Sequence, residues 1–256
     1  MKIATWNVNS LRVRLPHLLG WLAAQSPDVV CLQETKCADE SFPTQELREA
    51  GYRGLHHGQR GYNGVAILSR AEAKEARRGI PEFADEQSRV IAADVGGMRV
   101  VSVYVPNGQA VGSDKFAYKL RWFEALASWL AGELAAHPRL AVLGDFNVAP
   151  EDRDVHDPQL WEGKIHVSEP ERAALARVVG VGFADAFRLF EQPEKSFTWW
   201  DYRMGAFRRN MGLRIDHVLL SPELAKACRS CVIDTAPRRL ERPSDHAPVV
   251  CELANP

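Results

Sequence analysis

The chain has 256 residues, 46% of them hydrophobic and 25% charged, which suits a globular protein and is enough for one large α/β domain or two small ones. Lysine and arginine number 32 against 33 acids, so a net charge of −1 excludes capture of an anionic partner by overall charge; such a partner must meet a local basic patch, or metal ions offsetting local acids. No apolar run reaches the roughly 18 residues of a membrane span, and MKIATWNVNS lacks the apolar stretch of a signal peptide. Five cysteines, an odd number, argue against a disulfide framework and make the cytoplasm the expected address. Cys228 and Cys231 form one C-x-x-C, but no second pair follows to complete a zinc site, and the thiols read as buried or incidental.

Short apolar, β-branched runs predict strands over residues 3–6, 28–33, 65–69, 90–95, 100–105, 140–144, 215–220, 231–235 and 247–253. Several are too apolar to face water on either side. Gly96-Gly97 joins two of them as a hairpin, so part of the sheet is antiparallel. Helices are predicted over 15–25, with a proline in the first turn, over 114–136, where Phe116, Leu120, Phe123, Leu126, Leu130 and Leu134 repeat at helical spacing, and over 170–179 and 222–227. No repeat or linker interrupts the chain, and a single domain over 1–256 is the simplest reading.

Six places break an apolar run with residues that a core would not choose. Asn7 and Asn9 follow the first strand in WNVNS, Glu34 ends the second in CLQET, and Tyr104 and Asn107 close YVPN. Asp145 and Asn147 stand in GDFN, Asp216 sits inside LRIDHVLL, and Asp245 and His246 precede the last strand. Singly, Asn and Asp after a strand are ordinary turn formers. Asp216 is harder to dismiss, because an isolated buried carboxylate is costly; a salt bridge to Arg214 is its structural alternative. Together the acids and amides make an all-oxygen site for a hard cation such as Mg2+ or Mn2+, and one histidine beside it suits phosphoryl chemistry. A phosphate loop of the GxxxxGK[ST] type is absent, which argues against use of a nucleoside triphosphate.

The motifs WNVNSLR, QETK, SRVIAAD, YVPNG, GDFNVAPEDRDVHDP, FTWWDYR, GLRIDHVLLS and SDHAPV, in this order, resemble the exonuclease III branch of the endonuclease/exonuclease/phosphatase superfamily, which includes the abasic-site endonucleases of base excision repair. The resemblance spans residues 1–253. GDFN and SDH also occur in DNase I-like, lipid-phosphatase and inositol-phosphatase relatives; QETK, YVPNG and DVHDP point to the DNA-repair branch. The resemblance implies a four-layer α/β sandwich, two packed mixed β-sheets flanked by helices. It implies Glu34 as principal metal ligand with Asn7 beside it, Asp145 orienting or deprotonating the attacking water, and Asn147 donating to the phosphate. Asp245 would serve a second or alternative metal position, His246 would contact the phosphate with Asp216 holding it, and Tyr104 would contact the phosphate or help the leaving oxygen.

Matching the same pattern, Arg12, Lys36, Tyr62, Arg89 and Asn107 are candidates for DNA backbone contacts, with Trp199 and Leu213 at the pocket and Arg203, Arg208 and Arg209 as an electrostatic arm. The expected partner is duplex DNA carrying nicks, 3′-blocked ends or abasic sites, with no membrane and a monomeric protein. Two departures stand out. Asn9 is an aspartate in some relatives, and His166 stands where repair endonucleases of this group carry glycine or serine. An imidazole there would fill the pocket for an extruded abasic sugar, or stack against Trp199, and shift the enzyme toward 3′ termini; the alternative is that it points to solvent and changes nothing. The competing functions are a lipid or small-phosphoester phosphatase of the same superfamily, and a catalytically dead scaffold; the DNA-branch motifs oppose the first and the complete set of acids and His246 opposes the second.

Overall fold

A computed structural model describes residues 1–254; the last two residues of the expected 1–256 domain lie outside the described residues. Fourteen strands, β1 (Lys2–Asn7), β2 (Val29–Gln33), β3 (Arg53–His57), β4 (Val65–Ser69), β5 (Ala73–Arg78), β6 (Val90–Val95), β7 (Met98–Tyr104), β8 (Leu140–Asp145), β9 (Ala184–Asp185), β10 (Trp199–Trp200), β11 (Gly212–Leu213), β12 (Asp216–Leu220), β13 (Cys228–Ile233) and β14 (Val249–Leu253), run among the described residues. One six-stranded sheet has the order β13-β14-β1-β2-β4-β3, a second β5-β6-β7-β8-β12-β9, and β10-β11 form a small ribbon. β1–β2 and β7–β8 pair in parallel and their neighbours antiparallel, so both large sheets are mixed.

Strand alternation builds the layers. Ile3, Val29, Cys31, Val65 and Ile67 of the first sheet meet Ile91, Ala93, Val100, Ala141, Leu143 and Val218 of the second in one core. The opposite faces are covered by helices. Leu18, Trp21 and Leu22 of α1 (Leu11–Gln25) and Leu47 of α2 (Thr44–Glu49) pack on Ala4, Trp6, Val30 and Leu32. Phe123, Leu126 and Leu130 of α3 (Asp114–Ala136) and Ala174, Leu175 and Val178 of α5 (Glu169–Gly180) pack on Val101, Val103, Leu140 and Val142. Helix, sheet, sheet, helix is the expected four-layer sandwich, completed by the short helices α4 (Pro158–Trp161) and α6 (Pro222–Ala227).

Local sequence explains the connections. Gly96 and Gly97 both adopt positive φ, 57° and 77°, and close the β6–β7 hairpin with Val95 opposite Met98. Gly144 lies where β8 runs against β7: a Cβ there would come within 1.9 Å of the Val103 carbonyl oxygen. Helix α1 begins a turn earlier than the leucine spacing predicts because Leu11 is itself buried, and Pro16 therefore lies inside the helix. Two edge strands, β3 and β5, carry exposed polar residues and escape an apolar-run reading. Cys31, Cys228, Cys231 and Cys251 are buried free thiols and Cys37 is partly buried.

Candidate active site

Sheet register delivers the polar residues to one end of the sandwich. Asn7 ends β1 beside Gln33, the last residue of β2, and Glu34 follows it. Tyr104 ends β7 opposite Asp145, the last residue of β8, and Asp145 pairs in turn with Asp216 at the start of β12. Side-chain ligand atoms of Glu34, Asp145 and His246 all lie within 4.8 Å of one another. Asn7 Nδ2 donates to Glu34 Oε1 and to Asp145 Oδ2, both at 2.9 Å, while its Oδ1 accepts from the Asn9 amide at 3.0 Å. In this orientation Asn7 holds the two carboxylates and does not offer an oxygen to a cation, as expected from the motif; that role requires the amide to turn over.

His246 lies between acids, its Nδ1 2.9 Å from Asp216 Oδ2 and its Nε2 3.8 Å from Asp145 Oδ2. Burial alone would lower its pKa, but Asp216 and Asp145 outweigh burial and push the imidazole up to about 10. The two carboxylates favour the imidazolium at neutral pH, and Glu34 and Asp145 are the hard oxygen donors of the cluster that fit a divalent cation. Desolvation raises Asp145 to about 7 against the opposing charge of His246. Burial, then Glu34 and Asp145, raise the Tyr104 hydroxyl well above its ordinary value, so it keeps its proton. Arg214 is not the partner of Asp216: it is buried against Asp154 and Asp185, each at 2.7 Å, and His246 takes the Asp216 carboxylate instead.

Asp245 sits outside the three-residue cluster. Its Oδ1 accepts from Asn9 Nδ2 at 2.9 Å and its Oδ2 from Trp199 Nε1 at 3.0 Å. Asn147, at φ 52°, donates its side-chain amide to Val105 O and, at 3.3 Å, to Asp145 Oδ2. Around this floor lies a rim of mixed accessibility. Arg12 and Asn107 are exposed and Tyr62 is 74% exposed. Lys36 bridges Glu34 Oε2 at 2.9 Å and Asn9 Oδ1 at 2.6 Å. Arg89 is buried, bonded to Gln87 and the Tyr104 carbonyl with its guanidinium over the Tyr104 ring. Tyr62, Arg89 and Asn107 line one cleft of about 680 Å3.

Leu213 departs from the expected contact role: it has no exposed surface, because it packs with Val155, Ile215 and Trp199 beneath the site. Of the expected arm, Arg203 is tied to Asp201 at 2.6 Å, whereas Arg208 and Arg209 are exposed. His166 does not point to solvent. It is 6% exposed, its Nδ1 lies 2.7 Å from the Asn147 carbonyl oxygen, and its Nε2 lies 3.3 Å from Asn107 Nδ2. Burial, with Lys119 nearby, lowers the imidazole to about 3, so the neutral ring donates from Nδ1 and accepts at Nε2. It meets Trp199 at a 46° tilt, 6.2 Å between centroids, not as a parallel stack.

Sequence reasoning missed Lys119 and Glu171, a fully buried ion pair behind the Asn107 and Asn147 loops. Two signals were readable: Lys119 interrupts the apolar face of α3 between Phe116 and Phe123, and Ser168 and Glu171 form a capping box at the start of α5. It also missed the interior polar chain Thr5–Gln33–Ser102, which links the two sheets just below the site.

The model of the endonuclease/exonuclease/phosphatase family matches residues 4–246. The chain is 38% identical to exodeoxyribonuclease III of Haemophilus influenzae over 99% of its own length and 100% of that protein. Among solved structures it is similar to a 3′ phosphatase, NExo, from Neisseria bound to a product DNA hairpin, with 46% identity, a TM-score of 0.98 and full coverage of both chains. An AP endonuclease from Archaeoglobus fulgidus matches with 38% identity and a TM-score of 0.95 over 99% of each chain. Among the described residues no helix is long and apolar enough to cross a membrane. With acids, amides and one cationic histidine gathered at the loop end of a two-sheet sandwich, and with full-length relatives of this kind, the chain belongs to the endonuclease/exonuclease/phosphatase family, in its exonuclease III and AP endonuclease branch, and is a DNA-repair nuclease.

Proposed function

We propose that this chain is a one-domain, monomeric, cytoplasmic enzyme that uses Mg2+ or Mn2+ to hydrolyse phosphodiesters at 3′ ends of duplex DNA. Its activities are those of a 3′→5′ exodeoxyribonuclease, a 3′-phosphodiesterase and a 3′-phosphatase acting at nicks and blocked ends, with cleavage at internal abasic sites weakened by His166. The observation that carries this reading is the buried, fully bonded imidazole of His166 against Asn147 and Trp199, where an extruded sugar needs open space. The likeness to a Neisseria 3′ phosphatase bound to product DNA supports it.

Glu34 and Asp145 would hold the metal, with Asp245 at a second position; the ion supplies charge neutralisation at the phosphate when bound. Asp145, at the end of β8 within the same cluster, is placed to orient the attacking water or accept its proton. The Asn147 amide would donate to the phosphate oxygen as charge builds by giving up its longer bond, 3.3 Å to Asp145 Oδ2, and the His246 imidazolium, fixed by Asp216, meets the same charge. Tyr104, held protonated, can donate to the phosphate or the leaving oxygen. Arg12, Tyr62, Asn107 and Lys36 are proposed backbone contacts, and Arg89 is proposed to reach DNA from the wall of the same cleft.

The second reading is a full abasic-site endonuclease, favoured by the likeness to the Archaeoglobus enzyme. Rates on 3′-phosphate, nicked and internal abasic duplexes, compared for the parent and His166→Gly, separate the two. At φ 73° glycine suits position 166 without strain, so the variant keeps its backbone. Internal abasic cleavage is expected to rise about tenfold or more, matching removal of a steric block worth at least 1.4 kcal/mol. Abasic cleavage equal to that of the parent overturns the steric reading.

A further inference from the structure

Lys119 and Glu171 are both without exposed side-chain surface, and every donor of the ammonium is used. Lys119 Nζ donates to Glu171 Oε1 at 2.5 Å, to the Asn147 carbonyl at 2.8 Å and to the Asn107 carbonyl at 3.2 Å. Glu171 Oε1 also accepts from the His166 amide at 3.0 Å, and its Oε2 accepts from the Ser168 amide and hydroxyl. One ion pair thus touches the main chain of Asn107, Asn147 and His166, the residues that face the substrate end of the site. Two of these three stand at positive φ, Asn147 at 52° and His166 at 73°, backbone states that persist only when surroundings enforce them. The side chains close the same circuit: His166 Nδ1 donates to the Asn147 carbonyl that Lys119 also uses, and Asn107 Nδ2 reaches His166 Nε2 and Asn147 Oδ1.

Packing of α3 against α5 does not require this arrangement. The surrounding contacts are apolar, and a buried ion pair is seldom more stabilising than hydrophobic residues of equal volume. What the pair adds is geometry: a three-donor tripod that fixes two loop carbonyls, and a carboxylate that fixes the turn bearing the imidazole.

We propose that the Lys119–Glu171 pair is a positioning element that locks Asn107, Asn147 and His166 into one rigid wall, and through that wall makes the site accept a 3′ terminus in preference to an internal abasic sugar. This inference rests on the 3′-end reading above. Neither residue touches the reacting atoms; both act through the loops they hold.

The test is the double variant Lys119→Met/Glu171→Gln, which removes both charges at similar volume, assayed beside the parent on 3′-phosphate and internal abasic duplexes. The ratio of abasic to 3′-phosphate turnover is expected to rise about tenfold, with kcat on the 3′-phosphate falling about tenfold and KM moving less than about threefold. The His166 15N resonances provide a readout that general loosening elsewhere would not move: the parent shows the neutral Nδ1–H form, and the variant is expected to lose it. Should the double variant not fold, Lys119→Arg keeps the charge but cannot reproduce the tripod, and the same ratio is expected to shift about fivefold. An unchanged ratio with unchanged His166 signals in a folded variant overturns the proposal. A parent without 3′-end hydrolysis overturns the underlying reading instead.

Discussion

Replacing Asp216 with asparagine removes one charge from the buried end of the site and leaves its shape. Burial works against a charged His246, yet Asp216 and Asp145 push the imidazole from 6.5 up to about 10, a preference for the cation of about 5 kcal/mol. Asp216 supplies the larger part, because its oxygen is 2.9 Å from Nδ1 while that of Asp145 is 3.8 Å from Nε2. Asparagine can accept the same hydrogen bond but brings no charge, so roughly 2 to 3 kcal/mol should go and the pKa should fall by about 2. Loss of the imidazolium beside the phosphate should lower kcat progressively above a pH of about 8, approaching about 100-fold near pH 10. The sign also sets a stability trend: with the folded pKa raised, the stabilisation is complete below 6.5 and is lost as pH climbs through about 10, and the variant should lack most of this alkaline decline. NMR titration of His246 in the metal-free parent and variant reads the pKa, and phosphate release from a 3′-blocked duplex reads the rate. A parent midpoint near 6.5, or the same midpoint in both proteins, refutes the reasoning.

Two further outcomes follow from the buried and surface arginines. Arg214→Met leaves Arg188 as the remaining cation on Asp154, a fully buried carboxylate held below its ordinary pKa by Arg214 and Arg188 against the cost of burial. The loss should be about 3 to 5 kcal/mol and roughly 10 °C in Tm at neutral pH. Because a depressed carboxylate stabilises above its unfolded pKa and stops doing so as pH falls, the difference in Tm should narrow on acidification; a constant gap in calorimetry contradicts the assignment. Arg208→Ala/Arg209→Ala should weaken duplex binding about tenfold at low salt and flatten the salt dependence by about two counterions, while Arg203→Ala, already paired with Asp201, should do little; equal effects in a salt titration of DNA affinity remove the proposed arm.

Much of this arrangement was legible because the chemistry and the periodicity coincide. Strands such as β2 and β4 are apolar up to their last residue and lie where that pattern places them. Asp216 announced itself by being a carboxylate in such a run, and its partner proved to be His246. The exposed edge strand β5, with the sequence AKEARR, carries no apolar signal, since only its pairing with β6 makes it a strand. Leu213 looked available for DNA because a motif gives order along the chain and not depth; the β10–β11 ribbon turns it inward. Lys119 was hidden for the converse reason: helical spacing shows which face a residue occupies, but the oxygens that accept from it belong to loops 12 and 28 residues before and after, and to Glu171 farther on.

The central claim is that Glu34 and Asp145 hold a divalent cation against the DNA phosphate. Its most direct measurement is the Mg2+ titration of 3′-phosphate release by the parent and by Glu34→Ala, with Mn2+ binding followed in parallel by electron paramagnetic resonance. The account predicts metal-dependent release in the parent, and in the variant a loss of at least about 1,000-fold in kcat/KM at equal metal together with weakened Mn2+ binding, the cost of removing a charged ligand. Hydrolysis in Glu34→Ala as fast as in the parent, or parent activity indifferent to removal of divalent ions, would contradict it.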